Sequence, residues 1–232
     1  MKLRILSGGA LQGLVHALAP RFEAETGSAI DGAFGAVGAM REKLIGGAPA
    51  DLVLLTAALV SELERDGHVV PGTRRDIGLV HTAIAVRSGD PHPAVGDGHA
   101  LRAALLAADA IYVPDLRLST AGLHFAKVLD MLGIRADVEE RLRVFPNGAT
   151  AMRELAAARG HPIGCTQVTE ILNTRGISLV ANLPRGFELA TVYTAGVCTK
   201  ATAPDLARKF IALLTSATQE HVRFGFSAAG SR

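Results

Sequence analysis

Short apolar runs of β character alternate with amphipathic helical runs along almost the whole chain, and each switch is made within a few small residues. The opening stretch "RILSGGALQGLVHALAPRFEAETG" shows the pattern: Leu3, Ile5 and Leu6 read as a buried strand. From Leu11 the spacing turns helical, with Leu11, Leu14, Val15, Leu18 and Phe22 on one face. Ala29 to Phe34 reads as the next strand, "GAVGAMREKL" opens a helix, "PADLVLLT" is a strand, and "AALVSELERDG" is an amphipathic helix. Strand, helix, strand, helix with short glycine-containing connections predicts a parallel sheet covered by helices.

The run "IGLVHTAIAVR" has too much β character for another crossover helix, and the loop "SGDPHPAVGDG" separates it from a second α/β series. That series comprises a helix over Ala100–Ala108, strand "AIYVP", helix "STAGLHFAKVLDMLG", strand "RVFP", helix "GATAMRELAAARG", strand "PIGC", helix "TQVTEIL" and strand "ISLVA". The run "LATVYTAGVCT" closes it, and the helix "APDLARKFIALLTS" follows. Two α/β units joined by β-rich runs near 76–87 and 189–199 predict two α/β lobes on a two-strand hinge. The expected division is residues 1–79 plus 198–232 for lobe 1 and 80–197 for lobe 2.

Composition narrows the function classes. The 232 residues carry a net charge of +2 with the basic residues scattered, and only 4% are aromatic, which argues against a nucleic-acid surface. No run approaches the length that spans a bilayer, so membrane insertion is not expected. Cys165 and Cys198 each lie in an apolar run and read as two buried thiols; no metal-ligand spacing and no cofactor motif is present. "MKLRILSGG" enters the first strand within two residues, without a basic segment, an apolar segment or a cleavage site. Starting at Met1 as written, the chain reads as cytoplasmic; as a trimmed chain it reads as periplasmic, and only then is a transporter an expected partner.

In open α/β sheets ligands bind beyond the carboxyl ends of the strands, so the turns there are the candidate sites. Ser7, Gly8, Gly9 and Ala10 form the first such turn, and Ala36, Val37 and Gly38 the second. Ser119, Thr120 and Ala121, then Asn147 and Gly148, then Thr166 and Gln167 form three more, each placed at a helix start. Ser, Thr and Asn are good N-caps, which explains each turn singly. Together, the turns amount to a cage of neutral donors for a small anion. Arg75, beside Arg74, is placed to clamp a carboxylate or to be a solvated loop residue. His81, Tyr193 and Asp115 are, in that order, the candidate bases if the site is catalytic, against readings as a core histidine, a packed tyrosine and a turn carboxylate.

The stretches "ILSGGALQGLVHALAPRFEAETG", "AFGAVGAMREKLIGGAPADLVLLT" and "GLHFAKVLDMLGI" resemble the molybdate-binding-protein-like branch of the type 2 periplasmic binding proteins. "TRRDIGLVHTAIAVRSGDPHP" resembles that family's first hinge crossing and "FELATVYTAGV" its return. The resemblance covers almost the whole chain and implies two lobes that close over an oxyanion or carboxylate. It also implies hydroxyl ligands after the first strand and at the start of the second helix. Ser7 fits the first position, whereas Ala36 and Val37 stand where molybdate binders carry serines. An apolar wall there favours a ligand containing carbon, such as a small organic acid, over molybdate. Two functions stay open: a small-anion binding protein, and a cofactor-independent isomerase of a small unsaturated acid, since the same fold hosts aconitate isomerase. An inducer-binding half of a regulator is the third reading, and no helix-turn-helix precedes Leu3.

Overall fold

A computed structural model describes residues 2–227; Met1 and residues 228–232 of the expected first lobe lie outside the described residues. The chain begins with β1 (Lys2–Gly8), a single 3-10 turn (Gly9–Leu11) and α1 (Gln12–Thr26). It continues through β2 (Ala29–Gly35), α2 (Val37–Ile45), β3 (Leu52–Thr56) and α3 (Ala57–Arg65). The long strand β4 (Arg75–Arg87) leads to α4 (Gly98–Ala107), β5 (Ile111–Pro114) and α5 (Thr120–Met131). A short α6 (Arg135–Val138), which the hydrophobic periodicity does not signal, precedes β6 (Leu142–Phe145), α7 (Gly148–Ala157) and β7 (Ile163–Gln167). The chain closes with α8 (Val168–Leu172), β8 (Ile177–Asn182), β9 (Ala190–Val197), α9 (Pro204–Ser216) and α10 (Thr218–Arg223).

Contacts divide the described residues into two units, one running up to Val80 and resuming at Thr191, the other spanning His81–Ala190. In the first, β1 pairs in parallel with β2 and β3, and β9 runs antiparallel to β3. β9 in turn neighbours β4, whose first residues belong to this unit, and there the Thr194 hydroxyl donates to Asp76 Oδ1 at 2.6 Å. All five residues of β3 are buried, as expected of a central strand covered on both faces. The apolar stripe of α1 ends in Phe22, whose ring meets Phe210 of α9 edge-on with centroids 5.0 Å apart. Burial of such a ring contributes about 1.5–3 kcal/mol, and the edge-to-face geometry roughly another 0.5–1.5.

One carboxylate binds the returning chain into this unit. Asp51, fully buried just before β3, accepts from the Arg4 backbone N–H at 2.9 Å and from its guanidinium at 3.3 Å. On its other side it accepts from the N–H of Thr202 at 2.7 Å and of Ala203 at 3.1 Å, where α9 begins. Burial pushes the Asp51 pKa upward, but the hydrogen bonds from Arg4, Thr202 and Ala203 outweigh it and bring it down to about 2.

In the second unit β4 pairs antiparallel with β7 and β8, while β5 lies parallel between β6 and β7. The core gathers Leu101 and Leu105 of α4, Phe125, Val128 and Leu129 of α5, and Ile111, Val113, Ile163 and Cys165 of the sheet. The Asp97 side chain caps α4 by accepting from Ala100 N–H at 2.8 Å. Both thiols are free and buried; burial raises the Cys198 pKa to about 12, with the Asp51 charge adding to it, and raises that of Cys165 as well.

Candidate functional site

Strand register brings the predicted turns together within each unit. In the first, Gly8 pairs with Gly35, so the switches out of β1 and β2 lie side by side at one edge of the sheet. A Cβ added to Gly8 would stand 2.8 Å from Val37 Cγ1 and 3.3 Å from Tyr193 Cε1. Three of the candidate residues are thus in close approach, and position 8 has to be glycine because two side chains pack against its Cα. Val37, Ala36 and Ala10 are buried beside Ser7, whose hydroxyl donates to the Gly8 carbonyl at 3.0 Å. Neither Gly8 nor Ala36 provides a side-chain cap for the turn it opens, and Gly9 and Gly38 complete the small-residue lining. The result is a compact wall of small and apolar groups with backbone N–H donors at two helix starts.

Arg75 is not part of this cluster of contacts. Its guanidinium turns onto its own loop, donating to the carbonyls of Arg74 at 2.6 Å and Gly72 at 3.1 Å. Together with Glu64, Arg65, Arg74 and Asp76 it lines an open groove of about 590 Å³. Arg74 pairs with Glu64 at 2.8 Å.

In the second unit the carboxyl ends of β5 and β6 are neighbours, with Pro114 paired to Phe145. The turn after β5 is held by Asp115, whose Oδ1 accepts from the N–H groups of Arg117 and Leu118, both at 2.8 Å. Asp115 is therefore a turn carboxylate, and its carbonyl also accepts from Ser119 N–H at 3.2 Å. Ser119 occupies the N-cap position of α5 without capping it, so its hydroxyl is not used by the helix; Thr120 is half-buried and Ala121 buried. His124 Nε2 lies 2.7 Å from the Phe187 carbonyl, a packing role.

Asn147 caps α7, its Oδ1 accepting from Thr150 N–H at 2.9 Å. The position an anion would take at that helix start is filled from within the chain. The Glu170 carboxyl accepts from the Thr166 hydroxyl at 2.5 Å and from the backbone N–H groups of Gln167, Ala149 and Gly148. A Cβ on Gly148 would overlap both Glu170 and Thr166, so this glycine exists to admit them. Burial raises the Glu170 pKa against the opposing pull of those hydrogen bonds. Glu170 carries no motif of its own; the only signal in the sequence is its spacing of four from Thr166.

Thr166 and Gln167 end β7, and Gln167 is also the N-cap position of α8, without a side-chain cap. A buried strand terminus forces a different account of their polar groups. Thr166 has Glu170, whereas Gln167 is only 3% exposed and, among the described residues, has no partner on either Oε1 or Nε2. Thr82, directly opposite Gln167 in β4, is 1% exposed and its Oγ1 is likewise unpartnered. Leaving a buried donor or acceptor unsatisfied costs about 1–3 kcal/mol for each group. Sequence reasoning missed Thr82, which sits in an apolar run with nothing local to distinguish it. His81, its neighbour, is half-buried and by strand alternation points to the other face of β4.

Among the described residues, no three His, Cys, Asp or Glu side chains are grouped to hold a metal ion, and no helix is long and apolar enough to cross a membrane.

A family model described as bacterial extracellular solute-binding protein matches residues 3–226. An aconitate isomerase from a Pseudomonas species is 27% identical over 220 residues, covering 92% of this chain and 82% of that protein. The periplasmic molybdate-binding protein of Azotobacter vinelandii superposes with a TM-score of 0.78 at 20% identity, over 97% of this chain and 98% of that one. The sulfate-binding protein SubI of Mycobacterium tuberculosis gives 0.79 at 16% identity, over 99% and 88% of the two chains. At these identities the solved structures establish the fold alone, a two-lobed α/β architecture shared with these periplasmic binding proteins.

Proposed function

The chain belongs to the bacterial extracellular solute-binding protein family, and from that premise we propose that it binds a small organic anion at the carboxyl end of β7. The observation that carries this reading is Gln167, a buried carboxamide at the carboxyl end of β7 with neither polar atom partnered. A ligand that hydrogen-bonds to it removes a cost the unliganded fold bears. In the first unit the apolar Ala36–Val37 start of α2 argues against a bare oxyanion, and in the second the Glu170 carboxyl already occupies the start of α7. Delivery to a membrane transporter belongs to the same reading.

The experiment is a thermal-shift screen of molybdate, sulfate and small di- and tricarboxylates. A carboxylate present at 100 times its dissociation constant should stabilise the protein by about 2.7 kcal/mol, while molybdate and sulfate give little. Tight molybdate binding with no response to any organic acid would reject the proposal.

The aconitate isomerase relative supports a second reading, in which the protein moves a proton on a small unsaturated tricarboxylate. Such chemistry needs one base near an acidic C–H and a cage of donors for the carbanion's charge. His81 and Tyr193 are the candidates for that base, ahead of Asp115, whose carboxylate is committed to two N–H groups of its own turn.

A further inference from the structure

Thr82 and Gln167 are paired residues of β4 and β7 within one unit, and both bury polar side chains that nothing satisfies. Their geometry follows from the backbone. Thr82 N–H donates to the Leu189 carbonyl at 2.9 Å, and its own carbonyl accepts from Leu183 N–H at 3.1 Å. In an antiparallel sheet both backbone groups of a residue point to the same side, so Thr82 turns its own away from β7. Thr82 and Gln167 therefore form a non-hydrogen-bonded pair, the type in which Cα atoms approach to about 4.5 Å and the side chains are closest. Three orphaned atoms, Thr82 Oγ1 and Gln167 Oε1 and Nε2, share one face of the sheet.

We propose that Thr82 and Gln167 form a subsite for a ligand hydroxyl group, so that the ligand class is the small hydroxy acids. This deepens the organic-acid reading above and rests on it. The atoms involved select the group. Gln167 offers a donor and an acceptor together, and the Thr82 hydroxyl is both. An ionised carboxylate, sulfate or molybdate oxygen only accepts, and would leave Gln167 Oε1 buried without a donor. A hydroxyl donates to Oε1 and accepts from Nε2 or Thr82 Oγ1, which satisfies the pair.

The test is calorimetric titration of the full chain with two matched pairs, malate against succinate and citrate against tricarballylate. Within each pair the hydroxyl is the difference that matters. The hydroxy acid should bind at least roughly tenfold more tightly, the equivalent of one net hydrogen bond. Thr82→Val and Gln167→Leu should each collapse that ratio toward one, and Thr82→Ser, which keeps the hydroxyl, should preserve it. Thr82→Val removes an unpartnered group, so its melting temperature should match or exceed that of the wild type. Equal affinity within each pair for the wild type would overturn the subsite and leave organic-acid binding standing. Failure of all four acids would remove the organic-acid reading, and the subsite with it.

Discussion

The Thr166 hydroxyl donates to the Glu170 carboxyl at 2.5 Å in a fully enclosed setting, and the same carboxyl accepts from the first N–H groups of α7. The chain thus places one of its own carboxyl groups where a helix start would otherwise attract an anion. The polar groups that remain at the ends of β5 and β7, Gln167, Thr82 opposite it and the uncapped Ser119 turn, are all neutral.

Gly148 and Glu170 should therefore be sensitive as a pair. Gly148→Ala puts a methyl group into the space of Glu170 and Thr166 and should cost about 1–3 kcal/mol or more in chemical denaturation. The carboxyl titrates above its ordinary 4.5 because of burial. A raised folded-state pKa favours the native state below that ordinary value, and the advantage is lost as pH rises through the folded value. Glu170→Gln abolishes the titration, so the variant should lose less stability than the wild type as pH rises above the ordinary 4.5. Identical pH profiles would show that Glu170 does not titrate abnormally.

Gly8→Ala should be harmful for a different reason. The new methyl group meets Val37 Cγ1 at 2.8 Å and the Tyr193 ring at 3.3 Å. Forced repacking of this kind costs about 1–3 kcal/mol. Val37→Ala removes the nearer obstacle, so Gly8→Ala with Val37→Ala should be more stable than the sum of the two single effects by at least about 0.5 kcal/mol. Strict additivity in a denaturation cycle would show that the two positions do not press on one another.

Asp51 sets an acid limit. Its pKa falls from the ordinary 3.8 to about 2 on folding. A depressed carboxylate contributes stability above its unfolded value, and that contribution disappears as pH falls through the folded one. Stability should decline between about pH 4 and pH 2, and Asp51→Asn should flatten that decline while lowering stability at pH 7 by about 2–3 kcal/mol. Urea titrations of both proteins across this range provide the check.

The isomerase reading is decided by proton exchange. In D₂O with cis- or trans-aconitate, NMR should show deuterium entering the substrate and the isomers interconverting if the site carries a base. Activity should then fall by about 10²–10⁴-fold in His81→Ala. Exchange that survives the substitution would dismiss His81 and leave Tyr193 as the next base to test. An aconitate that binds without either exchange or interconversion would leave the protein as a binder.

Much of this architecture is legible in the residues themselves, because strand and helix periodicities are local. Leu3 to Phe22 contains its own switch of period, and the observed β1, 3-10 turn and α1 follow it closely. The turn residues are legible as turns, but the sequence leaves each one's duty open between a local role and a ligand contact. Asn147 caps a helix, Asp115 ties a loop, and Arg75 bonds its own turn, and each outcome depends on which backbone groups happen to be near. Gln167 is legible as a polar residue of the turn that follows "PIGC". Its partner Thr82 is 85 positions away and becomes meaningful only through the register of β4 on β7. Glu170 likewise needs the start of α7 brought beside it, which no local pattern encodes. The short α6 and α10 carry too few residues for a period to emerge.

The Asp51 clamp has a consequence for how the protein is made. Its carboxylate accepts from Thr202, a separation of 151 residues along the chain. At a synthesis rate of about 10 residues per second, roughly 15 seconds pass before that partner leaves the ribosome's catalytic centre. His81–Ala190 is contiguous and gathers its own core, so it is complete while the earlier segment still waits with a charged aspartate and an apolar β3 unsealed. Nascent chains should thus acquire protease resistance from the middle outward, and the interval before closure is when a chaperone would find this protein.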